Sequence, residues 1–449
     1  MGERSFAQNV ATVAVSSMVI PAVGFLTAPL LAHGLGVEGR GELAGAVAPF
    51  LLLLAIAPFG IGDLATFRTG RTGLATARTV CLLPLLAIGL SGLLCAAVLP
   101  FVRLYTGDAQ LARLVLLSLA ALPLAVAVTI LRGVASGQGA WLTVAWERAA
   151  TVVLRLVGLL VLLCTGHLTV TTAAVATVLS FVLSGVVYIP LVVRAATTPR
   201  IPVETPSDNR SATGFAINVW FGSLAGILLS RADQVLMTPL SDASELGIYV
   251  VAVTVAELVL VLSTAVRDVL FATESGDARI DRVVRASRLS LVTSAGLSIL
   301  IGATFPLWCG VVFGPGFDAA LPALVVMLVA CTIGVPGSVA GAALAGRGRP
   351  GRRSVGMVAA VAVNVPLVVV LVPQWGAVGA AFATLVGNAV AANNNILWLS
   401  RMTSRRWWDF HAIRGEELRW LGAAPGRAWR ARHPRSEHTT SDTSAGMTR

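Results

Sequence analysis

Phe6-Ala7-Gln8-Asn9-Val10 returns as Phe215-Ala216-Ile217-Asn218-Val219, 209 residues further along the chain. Ala173-Ala174-Val175-Ala176-Thr177 matches Ala380-Ala381-Phe382-Ala383-Thr384 at an offset of 207, while Gly41 matches Gly247 and Pro100 matches Pro306, both at 206. An ordered set of matches at nearly constant spacing reads as an internal duplication, which constrains the architecture before any local motif does. Six apolar runs fall within each copy. Because that number is even, the halves share one orientation and are related by an axis along the membrane normal, with a transport path expected between them.

The runs themselves are long enough to cross lipid. They fall near 10–33, 42–62, 79–102, 111–131, 145–166 and 170–193, then near 214–237, 246–266, 289–313, 319–345, 354–373 and 376–399. About twenty apolar residues at 1.5 Å rise span a hydrocarbon layer of roughly 30 Å. Across 449 residues, 56% are apolar and 12% charged, with a mean hydropathy of +0.82, far more apolar sequence than one soluble core needs. The expected fold is an all-α integral membrane protein of about twelve transmembrane helices, in two parallel six-helix lobes around a central cavity. The lobes are expected at 1–200 and 214–400, with a cytoplasmic linker at 194–213 and a basic tail at 401–449, first interfacial and then disordered. No cleavable signal peptide is expected ahead of the first run.

Charge sets the orientation. All 33 basic residues are Arg, and with the amino terminus inside, sixteen of them fall in internal loops against three (Arg40, Arg103 and Arg113) in external ones. Basic loops stay on the cytoplasmic side, so both termini are expected there, in the plasma membrane or a bacterial inner membrane. The net charge of +11 is explained by this bias and implies no nucleic-acid partner. Five cysteines lie inside apolar runs without CxxC spacing, which excludes a disulfide framework or metal site as the organising feature. With no GxSxG, HExxH, P-loop or His/carboxylate cluster, neither an enzyme centre nor a cofactor is expected.

Charges inside the apolar runs are the functional candidates, because an Arg at mid-bilayer costs about 2.5–3.5 kcal/mol on insertion scales. Arg155 is central to the fifth run. Glu147, Thr151 and Arg155 share one helical face, and Arg148 lies close to it. This face reads as a cationic lining suited to a phosphate, with interhelical packing as the competing reading. In the seventh run Asn218, Gly222, Gly226, Ser230 and Asp233 form a small, polar face, and Arg231 sits beside Asp233 but points elsewhere. Glu257, in the eighth run, and Asp233 are the candidates for ion coupling; for Glu257, coupling and a paired structural carboxyl stand equal. Asn388 and Asn393-Asn394-Asn395 suit either a sugar or hydrogen bonding between helices.

Several stretches carry a family resemblance. Leu35-Gly36-Val37-Glu38-Gly39-Arg40-Gly41 is similar to an L-G-x-x-x-x-G segment. Arg231-Ala232-Asp233-Gln234, with Glu245-Leu246-Gly247-Ile248-Tyr249, resembles a D-x-x-L … E-L-G-x-Y region. Phe313-Gly314-Pro315-Gly316-Phe317 looks like an F-G-x-x-F turn, and Gly376-Ala377-Val378-Gly379-Ala380-Ala381 like a G-x-x-G-A-A helix opening. In this order they resemble the polysaccharide-flippase branch of the multidrug/oligosaccharidyl-lipid/polysaccharide exporter superfamily. His33 departs from the Arg that many members carry before the L-G pair. The resemblance implies alternating access and transport of a polyprenyl-diphosphate-linked oligosaccharide to the outer leaflet. It implies a lipid-linked glycan as cargo, with membrane lipids and other glycan-assembly membrane proteins as partners. A drug or cation antiporter of the same superfamily is the alternative, using a carboxylate such as Glu257.

Overall fold

A computed structural model describes residues 3–72, 78–197, 209–274 and 280–412. Thus most of the expected linker and the tail beyond residue 412 lie outside the described residues. The described chain is helical throughout, with twelve crossing segments arranged as two lobes. The first lobe comprises α1 (Glu3–Ile56), α2 (Ile61–Thr72), α3 (Leu83–Thr106), α4 (Ala109–Ala120), α5 (Leu122–Gly137), α6 (Trp141–Cys164), α7 (Val170–Leu183) and α8 (Ile189–Thr197). The second comprises α9 (Asn209–Leu240), α10 (Ala243–Glu274), α11 (Ile280–Phe313), α12 (Leu321–Gly346) and α13 (Pro350–Thr403).

Two helices supply two crossings each. The chain reverses inside α1 at Gly36 (φ 69°) and inside α13 at Gly376 (φ 52°), where a side chain would resist the left-handed backbone. The other reversals at the same end are capped locally. Asp108 accepts the Leu111 N–H at 2.8 Å, Thr169 and Thr172 form a reciprocal capping box on α7, and Asp242 accepts the Glu245 N–H at 2.8 Å. Such short, self-satisfied turns suit the edge of a bilayer. This end is termed the Gly36 side; the opposite end, where α13 finishes, is the tail side.

Some crossings run longer than their apolar runs. The 34 residues of α11 span about 50 Å, so its Arg282, Arg285 and Arg288 stand beyond a roughly 30 Å hydrocarbon layer. The second arm of α1 does not stop near residue 62. It breaks at Phe59 (φ 46°) and Gly60 (φ 75°), after Pro58, and continues as α2 to Thr72. Equivalent prolines, Pro100 in α3 and Pro306 in α11, both lie inside helices, as the duplication requires.

The lobes meet most closely on the Gly36 side. Gly41 and Gly247, the equivalent glycines of the duplication, face each other there. A Cβ on Gly41 would overlap the Ala243 carbonyl, and one on Gly247 would overlap the Val37 carbonyl. A residue on a twofold axis must meet its own counterpart, so this crossing marks the axis relating the lobes. Around it Ala28, Ala32 and Ala44 of α1 enter the second lobe's core, and Phe25 meets Phe313 edge-on at 6.3 Å. His33 Nε2 lies 3.1 Å from the Val311 carbonyl, and Val37 packs against Gly316.

Inside each lobe a buried carboxylate ties helices together. In the first, Glu147 of α6 takes a bidentate pair from Arg132 of α5, with both N···O distances 2.8 Å. Its oxygens also accept from Thr151 and Ser184 at 3.3 Å and from Tyr188 at 3.4 Å, joining three crossings. In the second, Asp233 of α9 accepts from Tyr249 of α10, from Thr384 of α13 at 3.4 Å and from the Gln234 N–H at 2.7 Å. Glu245 accepts the Ala377 N–H at 2.7 Å, which caps the helix opening after Gly376.

Two outcomes follow from these contacts. Gly41→Val overpacks the axis at a cost of roughly 1–3 kcal/mol. The lobes should part there, raising maleimide labelling of a cysteine placed at Val37 by about tenfold or more. Unchanged labelling would refute close packing at that point. Glu147→Ala strands Arg132 and should lower unfolding stability in detergent by about 3 kcal/mol, whereas Glu147→Gln, which keeps an acceptor, should lose less.

Candidate functional site

Three guanidiniums converge between the lobes. Arg155 of α6 reaches α1, where its Nη2 lies 3.5 Å from Thr27 Oγ1. Arg40, on the second arm of α1, is close enough to Arg155 for the two to repel, and Arg155 and Arg231 of α9 repel likewise. Thr27 precedes Gly36 by nine residues and Arg231 precedes Leu240, the end of α9, by nine. Both therefore sit about 13 Å along their helices from the Gly36 side. The cluster is drawn from three helices and both lobes.

No described carboxylate forms an ion pair with any of the three, although Asp233 attracts Arg231 at longer range. The Nε atoms of Arg40 and Arg155 are buried without a hydrogen-bond partner. Asp233, two residues after Arg231, has its carboxylate committed to Tyr249, Thr384 and Gln234. Unpaired buried cations cost several kcal/mol each, so a site of this composition gains most from an anion with several oxygens. Guanidinium forks grip phosphate oxygens two at a time.

The other sequence candidates separate by location. Glu147 is buried to 1% exposure and saturated by its network, so its carboxylate is a lobe fastening and not an open ligand. Arg148 is half-buried beside Arg132 and Glu147. Asn218 lies on α9, but its side chain is outside the described residues. Further along that face Gly226 looks onto open space and Ser230 is exposed, while Asp233 turns into the second lobe. Glu257 is half-buried on α10, adjacent to Cys331, and makes no ion pair with a described residue. The asparagines serve helix packing: Asn388, Asn394 and Asn395 donate to the carbonyls of Ala330, Arg352 and Gly337.

Arg40 was the residue that sequence reasoning missed. Its place just after an apolar break assigns it to an external loop, yet it lies one turn into a helix. The signal available was the reversal at Gly36, which returns the chain into the bilayer before Arg40 is reached.

Comparison with known proteins places this arrangement. The fold is similar to an inward-facing multidrug resistance MATE family transporter of the MOP superfamily, with a TM-score of 0.68 at 16% identity over 87% of this chain and 98% of that one. It is similar to the lipid II flippase MurJ in an inward closed conformation, with a TM-score of 0.70 at 11% identity over 88% of each chain. A MOP superfamily transporter from Pyrococcus furiosus, described as having reversed polarity in its binding pocket, gives 0.61 at 18% identity over 88% and 95%. No curated protein matches the sequence. The sequence pattern of the polysaccharide biosynthesis protein family matches residues 6–271, more than half of the chain. The chain is a multi-pass membrane protein with the fold of those structures, and it belongs to the polysaccharide biosynthesis protein family.

Proposed function

We propose that the protein carries a polyprenyl-diphosphate-linked oligosaccharide from the cytoplasmic to the outer leaflet by alternating access. The observation that carries this reading is the cluster of Arg40, Arg155 and Arg231 between the lobes, in which the Nε atoms of Arg40 and Arg155 are buried without a partner. A diphosphate cannot enter hydrocarbon without compensation, and guanidiniums held in a polar cavity supply it while a prenyl tail stays in lipid. In this reading the tail side is cytoplasmic, as the arginine distribution argues, and the Gly36 side faces outward. The contacts around Gly41 and Gly247 close the outer end, so the cargo enters from the tail side. Arg148 and the exposed Ser230 are assigned to the polar lining; Glu147 contributes by holding α5 and α6. Glu257 and Asp233 are the carboxylates assigned to ion coupling. The cargo is moved without covalent change.

The test is leaflet-resolved. In cells depleted of the protein, lipid-linked glycan should accumulate where an impermeant sugar-labelling reagent cannot reach it. Arg155→Gln and Arg231→Gln, each removing a charge-assisted contact, should slow export by about tenfold or more, and Arg→Lys should retain part of it. Normal export in both Gln variants would sink the cargo assignment. Normal export combined with altered sensitivity to cationic drugs would move the protein to the antiporter branch.

A further inference from the structure

The reversal at Gly376 brings the two ends of α13 together on the tail side, and with them two arginines onto one ring. The Arg352 guanidinium lies 4.4 Å from the Trp398 ring centroid and that of Arg401 lies 5.9 Å from it. Such contacts attract a guanidinium to the indole face while leaving N–H donors available to a further acceptor. The Arg352 carbonyl is itself fixed by Asn394 Nδ2 at 3.3 Å, which sets the start of the helix against its end.

The segment after α13 extends this surface. It folds back so that Phe410 is fully buried among Val283, Val339, Ala343 and Ile396. Ser287 donates to the Phe410 carbonyl at 3.1 Å, and Trp407 Nε1 donates to Asn393 Oδ1 at 3.1 Å. Trp408, packed edge-on against Trp407 at 4.4 Å, is left 70% exposed. Near the end of α13, Leu397 and Met402 are exposed as well. An exposed indole with apolar neighbours next to stacked guanidiniums has the composition of a bilayer interface.

Charge on this face is unbalanced. The two described acids near it are engaged elsewhere, Asp281 by Arg405 and Asp409 by Arg288. Arg352 and Arg401 pair with no described carboxylate, and Arg406 is exposed between them and Trp408 in sequence. We infer that the Arg352–Trp398–Arg401 stack, with Trp408, is a binding site for an anionic phospholipid headgroup of the surrounding bilayer, separate from the cargo path. The phosphate oxygens meet the guanidinium edges, the acyl chains run along the lipid face of α13, and Trp408 seats in the headgroup layer. Occupancy of this site fixes the depth of the second lobe and does not depend on which cargo the protein moves.

The experiment uses the full chain in phosphatidylcholine-containing micelles titrated with phosphatidylglycerol, with retained lipid counted by native mass spectrometry. Wild type should retain phosphatidylglycerol selectively. Arg352→Gln/Arg401→Gln should weaken that retention by about tenfold or more, since each surface charge contributes comparably to attraction for anionic lipid. Arg113→Gln, on the exposed Gly36 side, should leave it unchanged. Should the double Gln variant not fold, Arg352→Lys/Arg401→Lys keeps the charge but loses the flat stack and should fall between. Equal retention in wild type and variant, equal retention of phosphatidylcholine, or displacement by inorganic phosphate at matched concentration would each overturn the assignment.

Discussion

Everything in the architecture depends on two glycines reaching van der Waals contact at the axis between the lobes. In lipid, helices gain no hydrophobic stabilisation from meeting each other, so association rests on how closely their backbones approach. Gly41 and Gly247 allow carbonyls of the opposite helix to sit where a Cβ would be. The motifs that mark the sequence then gather round this point. The segment containing Gly36 meets the turn containing Gly314 and Gly316, and the segment containing Glu245 caps the helix that opens at Ala377. These short patterns therefore describe one junction, seen four times along the chain.

The charged fastenings lie within the lobes and not across this junction. The three described ion pairs, Arg132–Glu147, Arg288–Asp409 and Arg405–Asp281, each fall within a single lobe. So does the hydrogen-bonded set around Asp233. Across the axis the described contacts include small residues, aromatic pairs, Val37 against Gly316 and the His33–Val311 hydrogen bond. Separating these exposes no buried charge, whereas breaking either carboxylate network would. Lobes that are rigid within and weakly joined between are the arrangement that rigid-body rocking needs.

Much of this was legible in the sequence. The duplication, the number of crossings and the small residues at Gly41 and Gly247 could all be read from spacing, because membrane helices satisfy their own backbone and leave only length and period to decide. What could not be read was which face meets which helix. Glu147 and Arg155 are eight residues apart on one face of α6, yet one is saturated by Arg132, Ser184 and Tyr188 and the other keeps a buried, unpartnered Nε. That difference originates in α5 and the turn after α7, far away in sequence. Arg40 was hidden for a related reason: a gap between apolar runs from 33 to 42 reads as a loop, whereas a single positive φ at Gly36 has already reversed the chain. The break at Phe59 is of the same kind, since Pro58 and Gly60 mark a stop that the fold uses as a bend.

The contrast along α6 also bears on why the cluster tolerates its own repulsion. Three like charges from Arg40, Arg155 and Arg231 oppose closure of the lobes around them. In the proposed mechanism a bound polyanion would remove that opposition, and occupancy and closure would then be linked, each favouring the other to the same extent. An additional described carboxylate beside the cluster would have neutralised it and uncoupled the two. Glu147 is kept from that role by Arg132, while Asp233, held by Tyr249 and Thr384, attracts Arg231 but makes no ion pair with it. The pairing of Glu147 with Arg132 is thus part of what leaves the space between the lobes positive, and a network that holds one lobe rigid also sets the charge beside it.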